Sequence, residues 1–210
     1  PGLESFLARP LASFAAERQV VWLPESASSG HGYHHGNGQD PHPWLDPEKT
    51  RAFVRHLSEV LMSRYPERAE QIAARLAAQE KRLQQLGTEV LQRLAPLRDR
   101  AFVAEHAAYG PFVNFVGLKE AGSLSDSSGI HQGARNLQSL KAKSDIACVA
   151  VEQAPGTRLA IQLAAALTVP VVEIDPFGLR LPEDAGYSDL IDGVAAGFER
   201  CLVGGAASPE

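Results

Sequence analysis

Four short apolar runs alternate with helical patterns in the second half of the sequence, and this alternation constrains the fold more than any other feature. The runs lie at 101–105, 119–124, 146–152 and 169–174. Helical spacing of apolar residues separates them at 111–116, 134–143 and 156–167, and predicts a last helix over 188–202. Such alternation predicts an α/β fold with a parallel sheet covered on both faces, in which ligands bind beyond the carboxyl ends of the strands.

A long helical pattern precedes this region. Asp46 and Pro47 are typical of a helix start, and Pro66 interrupts the pattern. The run from Glu67 to Leu94 then keeps one face apolar and would rise about 42 Å as a helix. That length favours a rigid strut between two lobes.

We therefore expect three regions. Residues 1–45 look like the remnant of an N-terminal lobe whose beginning is absent, with a helical pattern over 3–16 and a strand over 19–23. Residues 46–97 form helices including the interlobe linker, and residues 98–210 form a C-terminal α/β lobe.

Composition excludes some classes of function. The net charge is −5 across 210 residues and the basic residues are scattered, which argues against nucleic acid as a partner. No apolar run approaches the roughly 20 residues that cross a bilayer, so we expect a soluble protein. Cys148 and Cys201 are either two buried thiols or a disulfide, and a disulfide would require an oxidising compartment.

Histidines concentrate around one stretch, Asp40-Pro41-His42-Pro43-Trp44-Leu45-Asp46-Pro47. The Gly-, Ser- and His-rich segment 26–39 precedes it and carries His31, His34 and His35. Short histidine tracts bind transition metals weakly, so this segment is either a metal-capturing loop, an inert polar loop or a tag-like remnant. We interpret His42 as a metal ligand.

Two predicted strand ends offer further ligands. His106 follows the first strand and Asp175 follows the fourth. Alone, a strand-end His is more often structural and a strand-end Asp is usually a turn former, but their repetition favours one site shared with His42. Imidazoles with one carboxylate suit Zn²⁺, whereas Mn²⁺ usually takes more carboxylate. Glu173, on the same side of its strand as Asp175, is the expected supporting carboxylate.

These segments resemble a known family in order and spacing. The stretch from Asp40 to Pro47, then His106-Ala107-Ala108-Tyr109-Gly110, then Asp175-Pro176-Phe177-Gly178 are similar to the zinc-binding, ZnuA-type subset of the cluster A-I solute-binding proteins of ABC transporters. The resemblance implies a two-lobed α/β protein with parallel sheets joined by a long helix.

Its implied function is that of a periplasmic or lipid-anchored receptor that delivers Zn²⁺ to a membrane permease, and we expect a monomer. The resemblance also implies His42, His106 and Asp175 as ligands, a metal-binding His-rich loop with His31, His34 and His35, and a disulfide between Cys148 and Cys201.

The sequence departs from the family at two points. The family's first ligand is a His in the N-terminal lobe, and nothing here corresponds to it. His131 stands where some relatives carry an acidic residue, and is either an accessory ligand or a surface histidine.

Two other functions are compatible with the same residues. A metallohydrolase would need a metal-bound water and a general base such as Glu105 or Glu173, although the sequence has no H-E-x-x-H pair. An adhesin, or a manganese-binding relative, could share the fold, because fold does not fix function.

Overall fold

Four parallel strands form the centre of the computed structural model, which describes residues 10, 13 and 40–204. They are β1 (Ala101–His106), β2 (Lys119–Ser125), β3 (Ile146–Val151) and β4 (Val171–Glu173). They lie in the order β2-β1-β3-β4, and every pairing is parallel. All four carboxyl ends therefore meet at one edge of the sheet, as predicted.

Six helices accompany the sheet within the described residues. They are α1 (Pro47–Arg64), α2 (Ala69–Leu94), α3 (Gly110–Val116), α4 (Gly133–Lys141), α5 (Arg158–Leu167) and α6 (Tyr187–Val203). The Asp46 side chain accepts hydrogen bonds from the amides of Glu48 and Lys49, which confirms the predicted start of α1. A 3₁₀ turn over Pro66–Arg68 separates α1 from α2, as the position of Pro66 predicted.

The long helix α2 has 26 residues and spans about 39 Å. It begins slightly later than predicted, because the 3₁₀ turn takes the first residues of the pattern. Its second half buries Leu83, Leu86, Val90 and Leu94, and its first half runs beside α1, where the Arg55 Nε donates to Glu80 Oε1 at 2.8 Å. The role of α2 as a link between two lobes stays a prediction.

Apolar side chains cover the sheet on both faces, which confirms the prediction of a parallel sheet covered on both sides. One cluster combines Phe102, Ala104 and Ala150 with residues of α2, α3 and α6. The opposite cluster combines Val103 and Val149 with residues of α4 and α5. Successive strand residues point to opposite faces, and the continuously apolar strands supply both clusters.

Helix α6 is fixed to the sheet by aromatic packing and by a covalent bond. The Phe198 ring lies 4.9 Å from the Phe102 ring and 5.5 Å from the Phe112 ring, centroid to centroid. Cys148 in β3 and Cys201 in α6 are both fully buried and form a disulfide. The disulfide that the family resemblance implied is therefore present.

Among the boundaries that differ from the sequence prediction, those of β4 and α5 have clear local reasons. β4 begins after Pro170, because proline has no amide hydrogen to donate to a ladder. α5 begins at Arg158 rather than Gly156, since Gly156 has φ +80° and the Thr157 hydroxyl oxygen caps the helix by accepting from the Ala160 amide.

Other expectations fall on residues that the structure does not describe. They include the strand over 19–23, the helical pattern over 3–16 apart from Pro10 and Ser13, and the loop over 26–39. Over the described residues, no helix combines the length and apolar character that a membrane crossing requires.

Candidate metal site

His106 lies at the point where the chain order of the sheet reverses. It is the last residue of β1, and Glu152 directly follows the neighbouring strand β3. β2 and β4 flank this central pair, so the loops after β1 and β3 diverge and leave a crevice between them. Across this crevice, His106 Nδ1 lies 2.6 Å from Glu152 Oε1.

His42 reaches the same crevice from the segment before α1. A 3₁₀ turn over Pro43–Leu45 buries Leu45 completely and anchors the segment in the core. His42 is itself fully buried. The Asp40 Oδ1 atom accepts from the His42 amide at 3.0 Å and lies 2.8 Å from His42 Nδ1. One carboxylate oxygen therefore fixes both the backbone and the ring of His42.

The two imidazoles face each other with one nitrogen of each left unpaired. Their ring centroids are 5.2 Å apart and the planes cross at 74°. Among the described residues, the buried side-chain polar atoms without a hydrogen-bond partner are His42 Nε2 and His106 Nε2. A carboxylate at Nδ1 favours the tautomer that leaves a lone pair on Nε2. Two such nitrogens fit a borderline cation such as Zn²⁺.

Two aromatic rings form a wall beside His42. Its ring lies 5.3 Å from Trp44 and 6.4 Å from Phe177, centroid to centroid. The Trp44 Nε1 donates to the Pro176 carbonyl oxygen at 3.0 Å, which binds the segment after β4 to the segment before α1. Apolar surroundings of this kind limit the access of water and strengthen ligand–cation interactions.

Asp175 lies two residues before Phe177, which forms part of this wall. Its carboxylate, however, accepts hydrogen bonds from its own loop. Oδ1 accepts from the amides of Phe177 and Gly178, both at 2.9 Å, and Oδ2 accepts from the Arg180 amide at 3.1 Å. Within residues 40–204, no three His, Cys, Asp or Glu side chains gather closely enough to hold an ion. The structure thus brings His42 and His106 together, and leaves the ligand role of Asp175 a prediction.

The charge of Glu152 acts on His106 directly. Its hydrogen bond raises the pKa of His106 above the ordinary value, and burial opposes this by lowering that pKa. A raised pKa strengthens the competition between protons and a metal for the imidazole, so metal binding by such a ring weakens in acid.

Glu152 was not predicted as a site residue, and Glu173 does not take the supporting role expected of it. Glu173 accepts from the Ala154 amide at 3.0 Å and pairs with Arg180. Glu152 directly follows β3, and His106 is the last residue of β1. The position of Glu152 at a strand end could be read from the sequence. The adjacency of β1 and β3 in the sheet could not.

The remaining histidine predictions divide into two groups. His31, His34 and His35 lie outside the described residues. His131 is exposed, forms an isolated bridge with Ser125, and lines a cavity with residues of α4 and α5, on the face of the sheet opposite α3. An accessory role for His131 stays untested.

Comparison with known proteins gives a consistent result. Residues 1–201 match the family model described as ZnuA, zinc-uptake complex component A, periplasmic. The ZnuA high-affinity zinc uptake proteins of Haemophilus ducreyi and Brucella abortus are 29% and 31% identical, each over 78% of this chain. The matches cover 54% and 50% of those relatives, so the chain spans about half the length of the curated relatives that it matches.

Solved structures show the same fold. A crystal structure of ZnuA is 25% identical with a TM-score of 0.66, over 78% of this chain and 60% of that one. The laminin-binding adhesin of Streptococcus agalactiae has a TM-score of 0.71 at 19% identity, over 81% of this chain and 66% of that one, and shows likeness of fold alone. The family match extends over nearly all of the sequence, and the chain belongs to the ZnuA family of zinc-uptake components.

Proposed function

We propose that the protein of which this chain forms part is a zinc-binding receptor that captures Zn²⁺ and delivers it to an ABC permease. The observation that carries the proposal is the pair of buried Nε2 atoms of His42 and His106, which have no hydrogen-bond partner in the part of the chain that the structure describes. Each ring has its other nitrogen beside a carboxylate oxygen, at 2.8 Å for His42 and 2.6 Å for His106. Family membership supports zinc as the cargo.

The proposed ligand set is His42 Nε2, His106 Nε2 and a carboxylate oxygen of Asp175, completed by a histidine of an upstream segment. For Asp175 to bind the ion, one of its carboxylate oxygens would either give up its hydrogen bond from a backbone amide or keep that bond while also coordinating the metal. Neutral imidazoles form the majority of this set, which favours Zn²⁺ over Mn²⁺.

Zinc titration of single variants tests the ligand assignment. His42→Ala and His106→Ala are each expected to weaken Zn²⁺ binding at least about tenfold, equivalent to 1.4 kcal/mol. His56→Ala is the matched control, since His56 is an exposed histidine of α1. Isothermal titration with a competing chelator measures all three, and unchanged affinity in either ligand variant would remove that residue from the site.

A periplasmic location is part of the same proposal. The disulfide between Cys148 and Cys201 supports it, because such bonds persist in oxidising compartments. We further propose a monomeric receptor, in which the segment 26–39 with His31, His34 and His35 collects zinc for the main site.

Hydrolysis is the less favoured function. Of the two general-base candidates, Glu105 accepts from the Thr157 amide, and Glu173 accepts from the Ala154 amide and pairs with Arg180. Both carboxylates therefore have structural partners, and neither is the carboxylate beside His106. The family description, an uptake component, also favours a receptor over an enzyme.

A further inference from the structure

The space beside Gly110 is occupied by the carboxylate of Asp40. A Cβ atom added at Gly110 would lie 2.6 Å from Asp40 Oδ2, far inside van der Waals contact. Gly110 is the first residue of α3 and is absent from the described glycines with positive φ. Its backbone therefore suits any residue, and what glycine supplies here is room.

Asp40 cannot move out of that space without releasing His42. Its Oδ1 accepts from the His42 amide at 3.0 Å and lies 2.8 Å from His42 Nδ1. An aspartate side chain has only two torsions, so a displacement of Oδ2 also displaces Oδ1. The contact at Gly110 and the orientation of the His42 ring are thus coupled through one short side chain.

We propose that Asp40 is a positioning residue for His42, and that Gly110 is glycine because it must admit the Asp40 carboxylate. The inference rests on the proposed function, in which His42 Nε2 is a zinc ligand. Asp40 holds the proton of the imidazole on Nδ1 and aims Nε2 at the ion, and α3 sets the position of Asp40. The start of α3 thereby determines the geometry of a ligand that lies far away in sequence.

The substitution Gly110→Ala tests this coupling. We expect it to weaken Zn²⁺ binding about 10- to 100-fold, the range usual for the loss of a hydrogen-bond partner of a metal ligand. Gly193→Ala is the matched control, because a Cβ at this exposed position of α6 meets nothing within 4 Å. It should leave zinc affinity unchanged.

A second readout separates positioning from a general loss of structure. In the metal-free protein, ¹⁵N chemical shifts of the His42 ring should report the tautomer with hydrogen on Nδ1. Gly110→Ala and Asp40→Ala should both shift the ring toward the tautomer with hydrogen on Nε2, while the circular dichroism spectrum stays that of the wild type. A loss of stability alone would leave the tautomer of the folded protein unchanged.

The double variant Asp40→Ala/Gly110→Ala shows whether the effect passes through Asp40. Once the carboxylate is gone, the added methyl group has room, so Gly110→Ala should cause no further loss of affinity in the Asp40→Ala background. An equal loss in both backgrounds, or wild-type affinity and tautomer in folded Gly110→Ala, would overturn the inference.

Two remaining outcomes are also decisive. If Gly110→Ala does not fold, Asp40→Ala alone must lower zinc affinity and change the tautomer, since it adds no atoms, and unchanged values would refute positioning. If the wild type binds no zinc, the proposed function fails, while the tautomer measurement still decides the role of Asp40.

Discussion

His42 and His106 each keep one buried ring nitrogen without a partner in the described part of the chain, and this arrangement has an energetic cost. An unsatisfied buried polar group typically costs about 1–3 kcal/mol. Both atoms lie in one crevice, where a bound cation would satisfy them together. The cost in the metal-free protein thus becomes part of the driving force for binding.

Tyr109 holds the segment after β4 close to this crevice. Its hydroxyl is fully buried and donates to the Ile174 carbonyl oxygen at 2.7 Å. Burial raises the pKa of Tyr109 well above its ordinary value, so the hydroxyl keeps its proton. We predict that Tyr109→Phe lowers the free energy of unfolding by about 1–3 kcal/mol, because the carbonyl loses its donor.

Urea unfolding measures this loss. Tyr65→Phe is the control, since Tyr65 is 45% exposed and such surface changes usually stay within about 0.5 kcal/mol. Equal midpoints for the two variants would contradict the assigned role of the Tyr109 hydroxyl.

At the residue scale, the sequence predicted His42 and His106 but not the carboxylates that hold them. The position of His106 at a strand end and the histidine-rich context of His42 indicated both as candidate ligands. The partnership of His106 with Glu152 depends on which strands are neighbours, and periodicity does not encode this. The hydrogen bonds of Asp175 to its own loop depend on backbone conformation that the residue pattern left open.

Among the secondary-structure elements, α6 has the strongest tie to the sheet, because the disulfide joins it to β3. The bond closes a separation of 53 residues, for which the chain-entropy model gives about 4 kcal/mol. We predict that Cys148→Ala/Cys201→Ala lowers the free energy of unfolding by about this amount.

Chemical denaturation of the double variant tests this prediction. Reduced wild-type protein is the comparison, since it loses the same cross-link without a change of side-chain volume. A reduced protein as stable as the oxidised one would show that the disulfide does not stabilise the fold.

Element types were predictable because each has a strong local signal. The apolar face of α2 and the Asp46-Pro47 start of α1 have the expected period and cap. The boundaries of elements were less predictable, because each depends on single atoms. The Thr157 hydroxyl oxygen caps α5, and Pro170 has no amide hydrogen to extend β4. The order of the four strands was not predictable, because it follows from packing of the whole sheet.

For the molecule as a whole, Glu120 is expected to make stability depend on pH. It lies partly buried in the edge strand β2. Burial first, and the Asp40 charge second, raise the pKa of Glu120 from 4.5 to about 7, while His106 acts in the opposite direction. Folding thus favours the protonated acid, so the contribution of Glu120 to stability falls as pH rises from 4.5 to about 7.

Glu120→Gln should remove this part of the pH dependence. We predict that the variant gains melting temperature relative to wild type as pH rises through that window, and that the difference levels off above it. Thermal melts of metal-free protein across the pH range provide the measurement. A difference that is constant with pH would exclude Glu120 as its source.

Because the strands are all parallel, the sheet has a carboxyl edge and an amino edge, and we expect chemical attachment to be tolerated better at the amino edge. The histidines and their carboxylates lie at the carboxyl edge, while the turn at 143–145 before β3 is exposed at the opposite edge. A fluorescent dye or a surface tether attached through Lys143 would therefore lie across the sheet from the proposed zinc ligands. Attachment at this position is therefore expected to leave the candidate metal site unobstructed in immobilised or single-molecule assays.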